Sequence, residues 1–136
     1  MTAIKIVDAS VAIKWFLMEE EKRNEALDLL DEIQSFPHHF AVPELFFNEM
    51  LSVLCKLESN VSHIKRYLYI LENLGLHRLG NGSELLNTAA QIALKHKITG
   101  YDAIYAACAQ VMEGLWVTAD IKAHKRIAIL NISIVL

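Results

Sequence analysis

The feature that most constrains the fold is an apolar run that stops on a carboxylate. It begins at Ile4 and ends abruptly at Asp8, and helical spacing starts at once with Val11, Ile13, Trp15 and Phe16. A buried strand therefore breaks directly into a helix, with Asp8 at the strand's carboxyl end. The junction recurs near the other end of the chain, where the β-rich run 115–118 is followed by Ala119-Asp120 and a helix from Ile121. Between the two junctions strands and helices alternate. A second helix carries Ala26, Leu27, Leu29, Leu30 and Ile33 on one face. Residues 40–42 form a short strand, and Pro43 opens a third helix with Leu45, Phe46, Met50, Leu51, Val53, Leu54 and Leu57. Ser62 opens a fourth helix that Gly75 ends, residues 76–79 make a third strand, and Ser83 caps a fifth helix after the turn Gly80-Asn81-Gly82. A sixth helix runs from near Tyr101 to about Glu113, and residues 132–136 close the sheet as a final buried strand. This alternation predicts an α/β protein with a parallel sheet covered by helices on both faces.

A chain of 136 residues is most simply one domain, 1–136, and its 54% apolar content suits a sheet buried on both sides with apolar surface left for a partner. No window approaches the roughly 18 consecutive apolar residues of a membrane span, and no signal-peptide pattern opens the chain, so a cytoplasmic protein without membrane contact is expected. Cys55 and Cys108 lack metal-type spacing and are read as small buried hydrophobes. Six scattered histidines form no metal motif. The net charge of −3 argues against a nonspecific nucleic-acid coat. It leaves room for an enzyme acting on nucleic acid, since metal-holding carboxylates lower the total while Lys122, Lys125 and Arg126 hold phosphates locally.

In open parallel sheets ligands bind beyond the carboxyl ends of the strands. Asp8 and Asp120 stand there. Asp102 starts the sixth helix at capping-box distance from Thr99, and Glu49 sits on the third helix between Leu45, Phe46 and Val53, where a solvating glutamate does not belong. Each aspartate taken alone reads equally well as a helix-start carboxylate. Glu44, in a first helical turn, is assigned to the helix dipole. One crevice could collect Asp8, Glu49, Asp102 and Asp120, and four carboxylates share a site ionised only if a cation joins them. All-oxygen ligation suits Mg²⁺ or Mn²⁺, and the chemistry such sites do best is attack of water on a phosphodiester, with a second ion about 4 Å from the first steadying the leaving oxygen. Ser10 and Thr118 would orient bound water from behind the ligands.

These residues resemble a family. Asp8-Ala9-Ser10 followed by Val-Ala-Ile-Lys-Trp, Pro43-Glu44-Leu45 with Glu49 five residues after Glu44, Tyr101-Asp102-Ala103 opening an alanine-rich helix, and Val117-Thr118-Ala119-Asp120 look like a PIN-domain ribonuclease of the VapC toxin type. The resemblance covers the chain from end to end. It implies a three-layer α/β/α sandwich with about five parallel strands in the order 3-2-1-4-5, Mg²⁺- or Mn²⁺-dependent cleavage of RNA, a small antitoxin protein as inhibitor, and a homodimer. It places the catalytic and metal-binding carboxylates at Asp8, Glu49, Asp102 and Asp120. Two departures stand out: Ser52 replaces the family's usual Asn three residues after the helix glutamate, and residues 121–125 lack a further acidic side chain that some members carry.

Rival folds fit less well. A phosphoaccepting receiver wants an acidic pair at the first strand end, where Val7 precedes Asp8, and an aspartyl-phosphate phosphatase wants Asp where Ser10 stands. Within the PIN reading the alternatives are a nuclease of RNA maturation or decay and a catalytically silent binding module. Consecutive Trp15-Phe16-Leu17 and Phe46-Phe47 cannot all turn inward at a period of 3.6, so part of this surface, Phe47 included, is expected to be free for the antitoxin.

Overall fold

Each junction forms where the sequence places it. The computed structural model describes residues 3–18 and 20–136. Among these, β1 (Lys5–Val7), β2 (Phe40–Pro43), β3 (His77–Leu79), β4 (Leu115–Thr118) and β5 (Ser133–Val135) form one parallel sheet in the order β3-β2-β1-β4-β5. The described helices are α1 (Ala9–Ala12), which tightens into a 3-10 turn at Ile13–Trp15, α2 (Arg23–Ser35), α3 (Leu45–Leu57), α4 (Val61–Glu72), α5 (Ser83–His96), α6 (Gly100–Val111) and α7 (Ile121–Ile127). The chain steps from β1 to β2 to β3 in one direction, then crosses back to β4 and on to β5 in the other. Right-handed crossovers put α1 to α4 on one face and α5 to α7 on the opposite one, an α/β/α sandwich of the PIN-like kind. The order reverses between β1 and β4, so the crevice opens beyond their carboxyl ends.

Burial explains how that edge is assembled. Ile6, Val7 and Phe40 to Val42 are buried, as both-face coverage requires. On α6 the side chains of Ala103, Ala106, Ala107 and Ala109 are fully buried, and their small size lets the helix lie close against β1, β2 and β4. That approach carries the first turn of α6, with Asp102, to the sheet edge. Entry into β4 is equally close-fitting. Glu113 takes the left-handed conformation (φ 53°) after α6, and Gly114 lies against β1, where an added Cβ would stand 2.2 Å from the Ile4 carbonyl oxygen.

Several local expectations are corrected. The cap of α4 is Asn60 rather than Ser62, because the Asn60 Oδ1 accepts the Ser62 N–H at 2.9 Å. Ser83 lies within α5, and Gly82 precedes it in extended conformation with no side-chain cap. Strand β5 is an edge strand, so Ser133 is buried but Ile134 and Val135 are exposed. Cys55 is exposed, whereas Cys108 is buried and burial pushes its thiol up to about 12. The apolar surplus surfaces elsewhere than at Phe47. Trp15 is buried and donates its indole N–H to the Ala26 carbonyl at 2.8 Å, Phe46 is fully buried, and the Arg78 guanidinium covers the Phe47 ring at 3.9 Å from its centroid. Apolar surface stays open in at least two places: a pocket of about 420 Å³ lined by Phe16, Leu17, Met18, Glu20 and Leu57, and one of about 550 Å³ lined by Leu86, Ala89, Ala93, Tyr101 and Ile104. No helix among the described residues is long and apolar enough to cross a membrane.

Candidate active site

Asp8 stands at the start of α1 yet does not cap it with its carboxylate. The helix's first N–H groups, those of Val11 and Ala12, go to the Asp8 backbone carbonyl at 3.0 and 3.1 Å, and no side-chain cap forms. The carboxylate turns instead toward β4. Its Oδ2 accepts the Thr118 hydroxyl at 3.1 Å and the Ser10 hydroxyl. The same two hydroxyls accept the backbone N–H groups of Asp120 and Ala119, each at 3.0 Å, so one hydrogen-bonded knot ties β1 to the loop after β4. Asp8 is only 6% exposed, and burial raises its pKa against the opposing effect of the two hydroxyls. The structural reading survives for the other junction: Asp120 Oδ1 accepts the Ala123 N–H at 3.0 Å and caps α7.

Asp102 and Glu49 reach the same place from opposite faces of the sheet. Thr99 Oγ1 accepts the Asp102 N–H at 3.1 Å, so that half of the capping box forms. Asp102 itself is half-buried, and its pKa rises to about 6, first through desolvation and then through the negative charges of Asp8 and Asp120. Glu49 is raised as well, by burial and by the charges of Asp8 and Asp102. Its Oε1 is buried without a hydrogen-bond partner. All four carboxylates line one pocket of about 240 Å³ together with Ala9, Ser10, Ile13 and Val53.

Two aromatic residues that sequence reasoning missed lie beneath this pocket. Tyr105 is fully buried on α6, three residues after Asp102, and stacks on Trp116 of β4 with ring centroids 6.0 Å apart. The Tyr105 hydroxyl lies near enough to Glu49 to favour its ionised form, yet it completes no hydrogen bond, and the Trp116 indole N–H likewise has no partner. The only signal in the sequence was a bulky aromatic interrupting the alanine pattern of α6. Other expected residues fall outside the acidic pocket. Ser52 is exposed and lines an adjacent pocket that shares Glu49 and Val53. Lys122 and Arg126 line a pocket of about 180 Å³ on the other side, sharing Asp102 and Asp120, whereas Lys125 is exposed and lines neither. Glu44 is held by a bidentate pair with Arg78 (2.9 and 3.1 Å) that keeps its carboxyl below the usual range, so its partner is an arginine rather than a helix dipole.

Among the described residues no three acidic, histidine or cysteine side chains converge closely enough to hold an ion as they stand. The donor chemistry nevertheless fits a hard dication. Every candidate ligand is a carboxylate oxygen, three of the four carboxylates are strained toward protonation by burial, by one another or by both, and one oxygen is orphaned.

An all-parallel sheet with an acidic pocket at its order reversal defines the class: an α/β protein that gathers carboxylates at a switch point. The PIN domain model matches residues 5–130, and the chain belongs to the PIN domain family. No curated protein matches it in sequence. Among solved structures it is similar to VapBC2 from Rickettsia felis bound to a DNA fragment from their promoter (16% identity, 98% of each chain covered, TM-score 0.73). It is also similar to a toxin-antitoxin complex from Klebsiella pneumoniae (15% identity, 96% of this chain and 95% of that one, TM-score 0.70). DNA-bound VapBC from Salmonella typhimurium gives 15% identity over 99% of this chain and 98% of that one, with a TM-score of 0.68. At these identities the likeness is one of fold.

Proposed function

We propose that this protein is a metal-dependent endoribonuclease, the toxin of a toxin–antitoxin pair, that hydrolyses RNA phosphodiesters. The observation that carries the reading is the gathering of Asp8, Glu49, Asp102 and Asp120 around one pocket, with no lysine or arginine paired to any of them among the described residues. Asp8, Asp102, Glu49 and Asp120 are the groups that would hold Mg²⁺ or Mn²⁺, and such an ion supplies hydroxide at neutral pH and neutralises charge developing on the phosphate. Asp8 is fixed for that role by the Ser10 and Thr118 hydroxyls, which commit its Oδ2 and fix the direction its other oxygen takes. Asp120 uses one oxygen to cap α7 and offers the other. Lys122 and Arg126, beside Asp102 and Asp120, hold the substrate backbone next to the scissile bond. The neighbouring VapBC and toxin-antitoxin complexes support an antitoxin partner, and the open apolar pocket around Met18 and Leu57 is where its segment would lie. The active form is read as a homodimer.

The experiment is cleavage of total RNA by the purified chain with Mg²⁺, with EDTA, and as Asp8→Asn. Loss of a charge at constant shape should reduce cleavage by at least about 100-fold while the fold persists. Cleavage that survives either EDTA or Asp8→Asn refutes the reading.

A further inference from the structure

The acidic pocket has a neighbour. Glu49 and Val53 also line an adjoining pocket of about 370 Å³, together with Asn48, Ser52, Lys56 and Tyr101. On α3 the positions 49, 52, 53 and 56 recur at helical spacing, so Glu49, Ser52 and Lys56 share a face. A rise of 1.5 Å per residue sets Lys56 about 10 Å along the helix from Glu49, outside the acidic centre rather than in it. Lys56 is exposed, has no ion-pair partner among the described residues, and is the only cation in this second pocket. Tyr101, on α6, lines this pocket as well, and its ring also borders the apolar pocket formed with Leu86, Ala93 and Ile104. It directly precedes Asp102 and leaves 64% of its surface exposed, an open ring next to the acidic centre. With Lys122 and Arg126 on the far side of Asp102 and Asp120, the three adjoining pockets run cation, carboxylates, cation with an aromatic face.

We propose that a single RNA strand lies across the site along this track, with Lys56 taking a backbone phosphate beyond Glu49 and the Tyr101 ring stacking on an unpaired base. The inference rests on the nuclease reading and adds to it two residues of this chain, Lys56 and Tyr101, that position the substrate outside the acidic centre. Flanking cations answer the problem that the acidic centre repels the polyanion it must cut, since phosphates on either side are held where the field is positive. An exposed aromatic ring selects single strands because the bases of a duplex keep their faces stacked within the helix. Stacking tolerates every base, so Tyr101 sets strandedness and register rather than sequence.

The test measures binding of a fluorescent unstructured RNA oligonucleotide by anisotropy, across a salt series with Mg²⁺ present, in the full chain carrying Asp8→Asn. Both probed side chains are exposed, so their replacement leaves the core intact. Tyr101→Ala should weaken binding roughly tenfold or more, and Tyr101→Phe should restore it to within about twofold of the parent. Lys56→Gln should lower the salt slope by about 0.7, the value for one phosphate on a single strand. Annealing the complementary strand should remove the dependence on Tyr101. If Tyr101→Ala and Lys56→Gln bind as the parent does while Lys122→Gln lowers the slope, the track ends at the acidic pocket and the inference fails with the nuclease reading intact. A changed oligomeric mass of Tyr101→Ala with unchanged RNA affinity also overturns it, by assigning the ring to a protein contact. If the unsubstituted chain does not cleave RNA and the Asp8→Asn chain does not bind it, both readings fail.

Discussion

Asp102→Asn should stabilise the metal-free protein at neutral pH and leave it unchanged near pH 4. In the fold the Asp102 carboxyl titrates at about 6 rather than 3.8, chiefly because of burial and secondarily because Asp8 and Asp120 are negative. Between those two values the folded chain holds a proton that the unfolded chain has released. Stability attributable to Asp102 is therefore complete below about pH 4 and lost as pH rises through 6. An asparagine has no proton to lose and escapes this. Taken at face value, the rise from 3.8 to about 6 corresponds to about 3 kcal/mol, at 1.36 kcal/mol per pH unit. Asp102 is only half-buried, and solvent screening reduces that to about 1 to 1.5 kcal/mol. For a chain of this length that is a gain of roughly 3 to 6 °C in Tm. The assay is thermal unfolding of parent and variant in EDTA at pH 4, 5, 6 and 7. Addition of Mn²⁺ at pH 7 should then raise the parent more than the variant, because the cation relieves the repulsion that the amide has already removed. A difference in Tm that stays constant from pH 4 to pH 7 would refute the assignment of charge strain to Asp102.

Two further outcomes follow from the packing. Tyr105→Phe removes a buried hydroxyl that has no hydrogen-bond partner, so metal-free stability should hold or increase, and urea unfolding that places the variant more than about 1 kcal/mol below the parent would show that the hydroxyl is bonded after all. Gly114→Ala puts a Cβ 2.2 Å from the Ile4 carbonyl oxygen, and because backbone rather than a side chain must yield, a loss of about 1 to 3 kcal/mol is expected in the same experiment. An unchanged midpoint would mean that β1 and β4 slide apart freely at that end.

Much of this architecture was legible because its signals are local. An apolar run that stops at Asp8 or Asp120 and gives way to helical spacing needs no distant partner to be read, and sheet order follows once the junctions are matched to a PIN-like pattern. The site was legible as residue types rather than as bonds. Nothing near Asp8 in sequence indicates that its carboxylate ignores the helix it starts and bonds Thr118, 110 residues away. Glu44 was assigned to a helix dipole because Arg78 lies 34 residues downstream, and the same arginine hides Phe47. Tyr105 was invisible for a related reason: the alanines around it mark a buried helix, and only the fold turns its hydroxyl toward Glu49.

The bidentate grip of Arg78 on Glu44 also sets two groups of carboxylates in contrast. Glu32, Glu20 and Glu44 each receive a cation from the chain itself, Lys5, Lys14 and Arg78 respectively. Asp8, Glu49 and Asp102 receive none among the described residues and carry the raised pKa values. The first three, scaffold carboxylates, are thus neutralised within the chain, whereas Asp8, Glu49 and Asp102, in the pocket at the sheet edge, are half-buried or buried with no counter-charge among the described residues. A cation entering that pocket relieves the repulsion among its carboxylates, so a metal ion and a basic side chain of another molecule would stabilise the fold in the same sense. An ion or a basic group that fills the pocket would bridge at once the residues that follow β1 and β4 and two that stand on α3 and α6, so this edge of the sheet is the part of the fold most directly coupled to its occupancy.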